Sequence, residues 1–263
     1  MNLKIKKTII ASSLILAVGS VSAEPVIDIC PNAGSKTIIH NVVKSLLSAV
    51  QAEDNGGFGF NMWGNVVNRD GKVCAVVFTG DHRGDQWPDS RNIAAAKAYT
   101  ANSLTLPKFA LSTANLYEAT QPGGSLWHVS NASPVNTAVA YMGPAEDFGT
   151  LSDPMLGKVH GGLIQFGGGL GLYDSDGKLI GALGVSGSSS CEDHVIAWKV
   201  RHLAQLDYVP AGPSKDGDDN LTFIGGGSPG WEHPECGVAG ELEAQAGLPP
   251  VRKVFELMIV PPK

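Results

Sequence analysis

Residues 167–194 read GGGLGLYDSDGKLIGALGVSGSSSCEDH, and no other feature of the chain restricts its fold as much. Two short apolar runs, 170–173 and 178–185, flank Asp174-Ser175-Asp176-Gly177, a tight-turn sequence, so the stretch reads as a β-hairpin. Glycine is too frequent for ordinary strands, where it packs no side chain. What a bare strand offers is close approach to its backbone. The approaching surface is a flat ligand, a neighbouring subunit, or a helix of the same chain packed on a bulged strand. A phosphate loop is excluded because no Gly-Lys-Ser/Thr follows. Gly184-Val185-Ser186-Gly187-Ser188 ends in serine where a nucleophile elbow requires glycine.

The surrounding sequence gives this hairpin partners. Ile38, Ile39, Val42, Val43, Leu46, Leu47 and Val50 recur at helical spacing, with Ser35 placed to cap them. Two β-branched runs, 60–68 and 72–79, are joined by Arg69-Asp70-Gly71, a strong hairpin signal. A second helix starts at Pro88-Asp89-Ser90 and runs through an alanine-rich stretch to Ala101. Residues 105–161 are rich in proline and read as loops around one short helix near 111–118. A further helix begins at Glu192. Ile196, Val200, Leu203 and Ala204 form its core face, and His194, Trp198, Arg201 and Gln205 its opposite face. Hairpins alternating with helices point to an α+β domain built on an antiparallel sheet. Beyond Asp207 glycine, proline and acidic residues predict loops, and 254–260 reads as a last strand.

The chain opens with a basic segment, an apolar run over 8–18 and the small residues Val21-Ser22-Ala23. This is the pattern of a secretory leader cleaved after Ala23, too short to span a bilayer. The expected organisation is a leader over 1–23, a domain over 24–206 and a loop-rich extension over 207–263 packed on it. A periplasmic or secreted location follows, with no stable membrane insertion. The net charge of −6, made more negative by loss of the leader's lysines, argues against nucleic acid as a partner. Cys30, Cys74, Cys191 and Cys236 are an even set, which favours two disulfides in an oxidising compartment. Three pairings exist. Cys30–Cys74 with Cys191–Cys236 is preferred, since each bond would tie a terminal extension to the middle of the chain. No Cys-x-x-Cys is present, which disfavours zinc-knuckle and thioredoxin-type sites.

Four stretches together resemble the GlcG/HbpS-like haem-binding and haem-degrading family, which includes the C-terminal domain of PduO-type proteins. They are Lys97-Ala98-Tyr99-Thr100-Ala101, Gly167-Gly168-Gly169, the run GALGVSG over 181–187, and Asp193. The likeness spans about 35–206, and 181–187 is its most specific part. It implies a profilin-like fold, a five-stranded antiparallel sheet flanked by helices, and homo-oligomers. It also implies an exported haem (tetrapyrrole) binder acting in storage, sensing or slow degradation. The alternatives are a cofactor-free oligomeric accessory protein and a binder of small carboxylate metabolites. The usual proline after the paired glycines is missing here.

Haem needs an apolar slot, an axial donor, and cations or hydroxyls for its propionates. His82, His160 and His194 are the candidate iron ligands, with His128 a fourth histidine near the motifs. His82 stands beside Arg83, a propionate partner, in TGDHRGDQW. His160 precedes Gly161-Gly162, and His194 lies one turn from Trp198, which would wall the slot. Lys97 would pair with a propionate, or with an acid on a neighbouring subunit. Asp193 suits a helix start. Asp216 to Asn220 is an oxygen cluster of the kind that binds calcium or simply faces solvent.

Overall fold

The computed structural model describes Ile29, Cys30 and residues 33–254. The leader over 1–23 and, beyond Val254, the strand expected over 254–260 lie outside these residues. The apolar stripe forms helix α1, Ala33–Gln51, which starts two residues before the expected cap at Ser35. The first hairpin is β1, Trp63–Asn68, and β2, Val73–Phe78. Its turn uses Gly71 at φ 76°, with the Gly71 N–H donating to the Asn68 carbonyl. Helix α2 spans Ser90–Leu104 with Asp89 at its N-cap position, although the Asp89 side chain makes no capping bond. Short helices α3, Val129–Ala132, and α4, Thr137–Ala140, lie in the proline-rich stretch. The helix expected near 111–118 is instead two 3-10 turns, Ala114–Leu116 and Glu118–Thr120. The glycine-rich hairpin is β3, Gly169–Tyr173, and β4, Leu179–Ser186. Helix α5, Ser190–Leu203, follows, capped by the Ser189 hydroxyl accepting from the Glu192 N–H. Helix α6, Glu241–Ala246, lies in the extension.

The four strands make one antiparallel sheet in the order β2-β1-β4-β3. The expected fifth strand is not among the described residues. Helices α1 and α5 cover one face, where Leu47, Val66, Leu172, Leu183, Ile196 and Val200 pack. Helix α2 covers the other, where Ala94, Ala95, Ala98 and Ala101 meet Trp63, Val67, Val76 and Ala182. The expected disulfides are present, Cys30–Cys74 and Cys191–Cys236. No helix among the described residues is long and apolar enough to cross a membrane.

This packing answers the question the glycines raise, and it corrects the ligand reading of the ribbon. A Cβ on Gly184 would lie 2.0 Å from the Ala94 carbonyl oxygen and 2.5 Å from the Ala98 nitrogen. On Gly169 it would meet the Lys97 carbonyl at 2.6 Å, and on Gly181 the Val67 carbonyl at 2.2 Å. Bare strand backbone is thus pressed against the alanine-rich face of α2 and against neighbouring strand backbone. No side of these glycines is left for a macrocycle. Gly184→Ala is therefore expected to destabilise the protein by about 1–3 kcal/mol, since helix backbone must move to admit the methyl group. Gly84→Ala, where a Cβ meets nothing within 4 Å, is the control and should leave the thermal midpoint unchanged.

The extension from Asp207 onward folds back over α5 and covers the side of that helix opposite its core face. Asp219 pairs with Arg201 through two bonds of 2.7 and 2.8 Å, both side chains fully buried. The Pro249 carbonyl accepts from the Trp198 indole N–H at 2.8 Å. Asn220 reaches His194. Leu203, expected in the core, is half-exposed. Two members of the acidic run are used internally: Asp219 by Arg201, and Asp218 by the Ser214 hydroxyl and the Asn220 N–H.

Candidate functional site

The residues singled out by sequence do not converge on one site. Lys97 projects from α2 and is fully buried. Its Nζ donates to Asp193 Oδ2 at 2.6 Å and to the Val185 carbonyl at 3.0 Å. Asp193 Oδ1 accepts from the Gly187 and Ser188 N–H groups, each at 3.0 Å. A Cβ on Gly168 would sit 2.8 Å from Lys97 Nζ and 2.4 Å from the Val185 carbonyl oxygen, so the glycine loop is shaped to wrap the ammonium group. Phe166 closes the top, its ring centroid 5.1 Å from Nζ. Burial pushes the Asp193 carboxyl up to about 6 against the pull of Lys97, and lowers the Lys97 ammonium from its usual range. This cluster clamps α2, the end of β4 and the start of α5 together. Lys97 has an acid of its own chain as partner, and no room remains for a propionate.

His160, His194 and Trp198 are also interior. The His160 Nδ1–H donates to the Gly161 carbonyl at 2.9 Å, and its Nε2 is buried with no hydrogen-bond partner among the described residues. The His194 Nε2 accepts from the Leu221 N–H at 3.1 Å, and its Nδ1 is enclosed. Burial is the main cause that lowers the His194 imidazole to about 3, with Arg201 acting in the same sense. Trp198 borders a cleft of about 480 Å³ whose other walls come from the extension, with Lys215, Asp216 and Asp218 among them. An iron centre has no path to either imidazole without displacing the extension or the core.

His82 and Arg83 are different, because both are exposed on the turn that follows β2. The turn is nevertheless held firmly. Asp85 Oδ2 accepts from the Asp81 and His82 N–H groups, each at 2.8 Å, and these bonds hold its carboxyl below the usual carboxylate range. The His82 carbonyl accepts from the Asp85 N–H at 3.0 Å and from the Gln86 side chain at 3.2 Å. Thr79 ties this turn to the loop before β1: its hydroxyl accepts from the Met62 N–H at 2.8 Å and donates to Asn61 at 2.9 Å.

On that paired loop lies a feature that the sequence reading missed. Phe58, Phe60 and Trp87 form a continuous aromatic platform, and they are 52 %, 43 % and 53 % exposed. Phe58 and Phe60 stack with ring centroids 5.3 Å apart, and Trp87 meets Phe60 edge-on at 5.5 Å. The platform is anchored from below: the Phe58 and Gly59 N–H groups donate to Glu192 at 2.8 and 3.1 Å. Three large rings in one exposed patch differ from the singly scattered apolar residues of an ordinary protein surface. The sequence signal was Gly56-Gly57-Phe58-Gly59-Phe60, aromatic residues alternating with glycine where a loop has no core to fill. Elsewhere Trp127 and His128 are exposed together, but the His128 Nδ1 is held by Asn131 at 2.9 Å and no further ring joins them.

A family profile described as haem-degrading, HbpS-like, matches residues 38–202. Three solved structures are similar. The Klebsiella pneumoniae protein ORFY is 22 % identical, over 62 % of this chain and 84 % of its own, with a TM-score of 0.42. A complex of PduOC with haem is 20 % identical, over 66 % of this chain and 94 % of its own, with a TM-score of 0.42. A double mutant of HbpS from Streptomyces reticuli is 17 % identical, over 73 % of this chain and 97 % of its own, with a TM-score of 0.39. No curated protein sequence matches the chain.

Proposed function

Because the chain belongs to the HbpS-like family of haem-degrading proteins, we propose that it binds haem, and that it does so on the platform of Phe58, Phe60 and Trp87. In this reading His82 would hold the iron, and Arg83 would meet a carboxylate of the macrocycle. The observation that carries it is the exposed aromatic patch on two loops joined through Thr79 and Asn61, one of which also presents His82 and Arg83 to solvent. The donor set fits the group: exposed aromatic surface for an apolar macrocycle, an imidazole for iron, a guanidinium for carboxylates. Haem, when bound, supplies the iron-centred oxygen or peroxide chemistry. The protein's part is to hold the imidazole on a turn pinned by Asp85 and to cover one face of the ring from water.

The biological setting we propose is haem storage, sensing or slow degradation in the periplasm or outside the cell. The leader-like segment over 1–23 and the two disulfides support this setting. The fold is read as a profilin-like domain over 24–206 with an extension over 207–263. A homo-oligomer belongs to the same reading, since a platform on one side of a macrocycle leaves the other side for a second copy to cover.

Hemin titration followed by absorbance tests the proposal. Wild type should give a saturating Soret shift. Phe60→Ser/Trp87→Ser should bind about 5- to 150-fold more weakly, the loss expected for two ring contacts of about 0.5–1.5 kcal/mol each. A folded wild-type protein with no Soret shift would instead support a cofactor-free accessory role.

A further inference from the structure

At the start of α5 a second constellation lies apart from the aromatic platform. Cys191 is the second residue of the helix, and its disulfide partner Cys236 comes from the extension. His233 reaches the same point. One ligand atom from each of Cys191, His233 and Cys236 lies within 4.8 Å of the others. The Cys191 N–H donates to Cys236 Sγ at 3.1 Å. The Ser190 hydroxyl stands 3.4 Å from Cys236 Sγ and 3.3 Å from His233 Nε2. The Nε2 has only long contacts, the other being the Gly167 N–H at 3.4 Å, whereas Nδ1 is fixed by a 2.7 Å bond to the Pro234 carbonyl. An imidazole oriented through one nitrogen and loosely engaged at the other has the arrangement of a metal-ligating histidine.

Access and support are both present. A cleft of about 410 Å³, walled by Tyr117 and Phe166, opens onto Ser190, His233 and Cys236. The loop bearing Cys236 has fastenings besides the disulfide. Glu241 accepts from the Cys236, Gly237 and Val238 N–H groups at 2.7, 3.0 and 3.1 Å, and the His233 N–H donates to the Thr222 carbonyl at 2.9 Å. Two sulfurs released there would remain side by side at a helix N-terminus, where thiolates are stabilised. Tetrahedral zinc-type coordination with metal–sulfur bonds of about 2.3 Å places two sulfurs roughly 4 Å apart, within the span of this cluster.

The geometry points to a redox-gated metal site: with the Cys191–Cys236 bond reduced, Cys191, Cys236 and His233 bind a thiophilic divalent cation of the zinc class. The reductant is a dithiol. It delivers two electrons and two protons, the protein S–S bond breaks, two thiols form, and the reductant closes its own disulfide. Metal binding then releases the two thiol protons to solvent, and the Ser190 hydroxyl or a water fills the fourth position. This site is independent of haem binding.

Cobalt(II) titration of the full chain, before and after reduction with a dithiol, tests the inference. Reduced wild type should show a thiolate-to-cobalt charge-transfer band and the intense visible bands of tetrahedral cobalt, and the oxidised protein neither. His233→Ala should weaken cobalt binding at least about tenfold, the minimum loss seen even for outer-shell partners. Cys191→Ser/Cys236→Ser should abolish the band, which separates this pair from Cys30 and Cys74. Circular dichroism is recorded on the same samples. Loss of the fold on reduction makes the disulfide purely structural and overturns the inference. A folded, reduced protein without the band, or a band unchanged in His233→Ala, overturns it equally.

Discussion

Lys97→Met should destabilise the protein by about 3–5 kcal/mol at neutral pH, measured by urea unfolding. The substitution is close in shape but removes the cation that faces Asp193 at 2.6 Å, both side chains lying almost entirely out of solvent. The two N–H donors to Oδ1 remain, but a carboxylate buried without its counter-charge carries the full desolvation penalty. The sign of the pH dependence follows from the raised carboxyl. An acid whose folded pKa lies above its unfolded value binds protons more readily when folded, so acidification through that range favours the fold. Without Lys97 the Asp193 carboxyl rises above its present value of about 6. The deficit of the variant should therefore be largest above pH 7 and smaller near pH 5. Lys97→Met/Asp193→Asn should recover much of the loss, because the amide oxygen still accepts from Gly187 and Ser188 and no charge is left to bury. A single variant as stable as wild type would show that the clamp contributes nothing.

The second large effect is expected from Arg201→Met. Arg201 donates to both oxygens of Asp219 and to the Gly171 carbonyl at 3.1 Å, and its guanidinium lies 4.6 Å from the Trp198 ring. It therefore fastens the extension, the edge strand β3 and α5 at one point. Removing it leaves Asp219 buried and unpaired, at a cost of about 3–5 kcal/mol. The loss should also be local in character. The extension should become open to limited proteolysis between 207 and 254, and Trp198 emission should shift to the red as its cover from Pro249 loosens. Global unfolding with no earlier cleavage in the extension would contradict this view of the extension as a separately fastened layer.

How far the sequence led can be judged residue by residue. The apolar stripe of α1, the Asp-Gly turn of the first hairpin and the Asp174 to Gly177 turn of the second are local signals, and each formed the expected element. The disulfide pairing was also legible, because each bond ties an extension to the middle of the chain. The glycines announced a close approach but not by what; the approaching surface is the alanine face of α2, seventy or more residues earlier. What covers the His194–Trp198 face of α5 was not legible, because helical periodicity takes no account of a distant layer folding back over it. Phe60 reads as the first residue of the 60–68 strand run, and Phe58 falls between that run and the first helix. Trp87, far from them in sequence, completes the patch only once β1 and β2 pair and bring their flanking loops together.

The central claim is that haem is held by His82 beside the exposed rings. Hemin absorbance titrations of His82→Ala and His128→Ala, compared with wild type, test it most directly. Both imidazoles are exposed, so neither change should disturb the fold. The account predicts that His82→Ala loses the wild-type Soret band and much of its affinity, while His128→Ala binds as wild type does. A His82→Ala protein that binds hemin with the wild-type spectrum and affinity would contradict it.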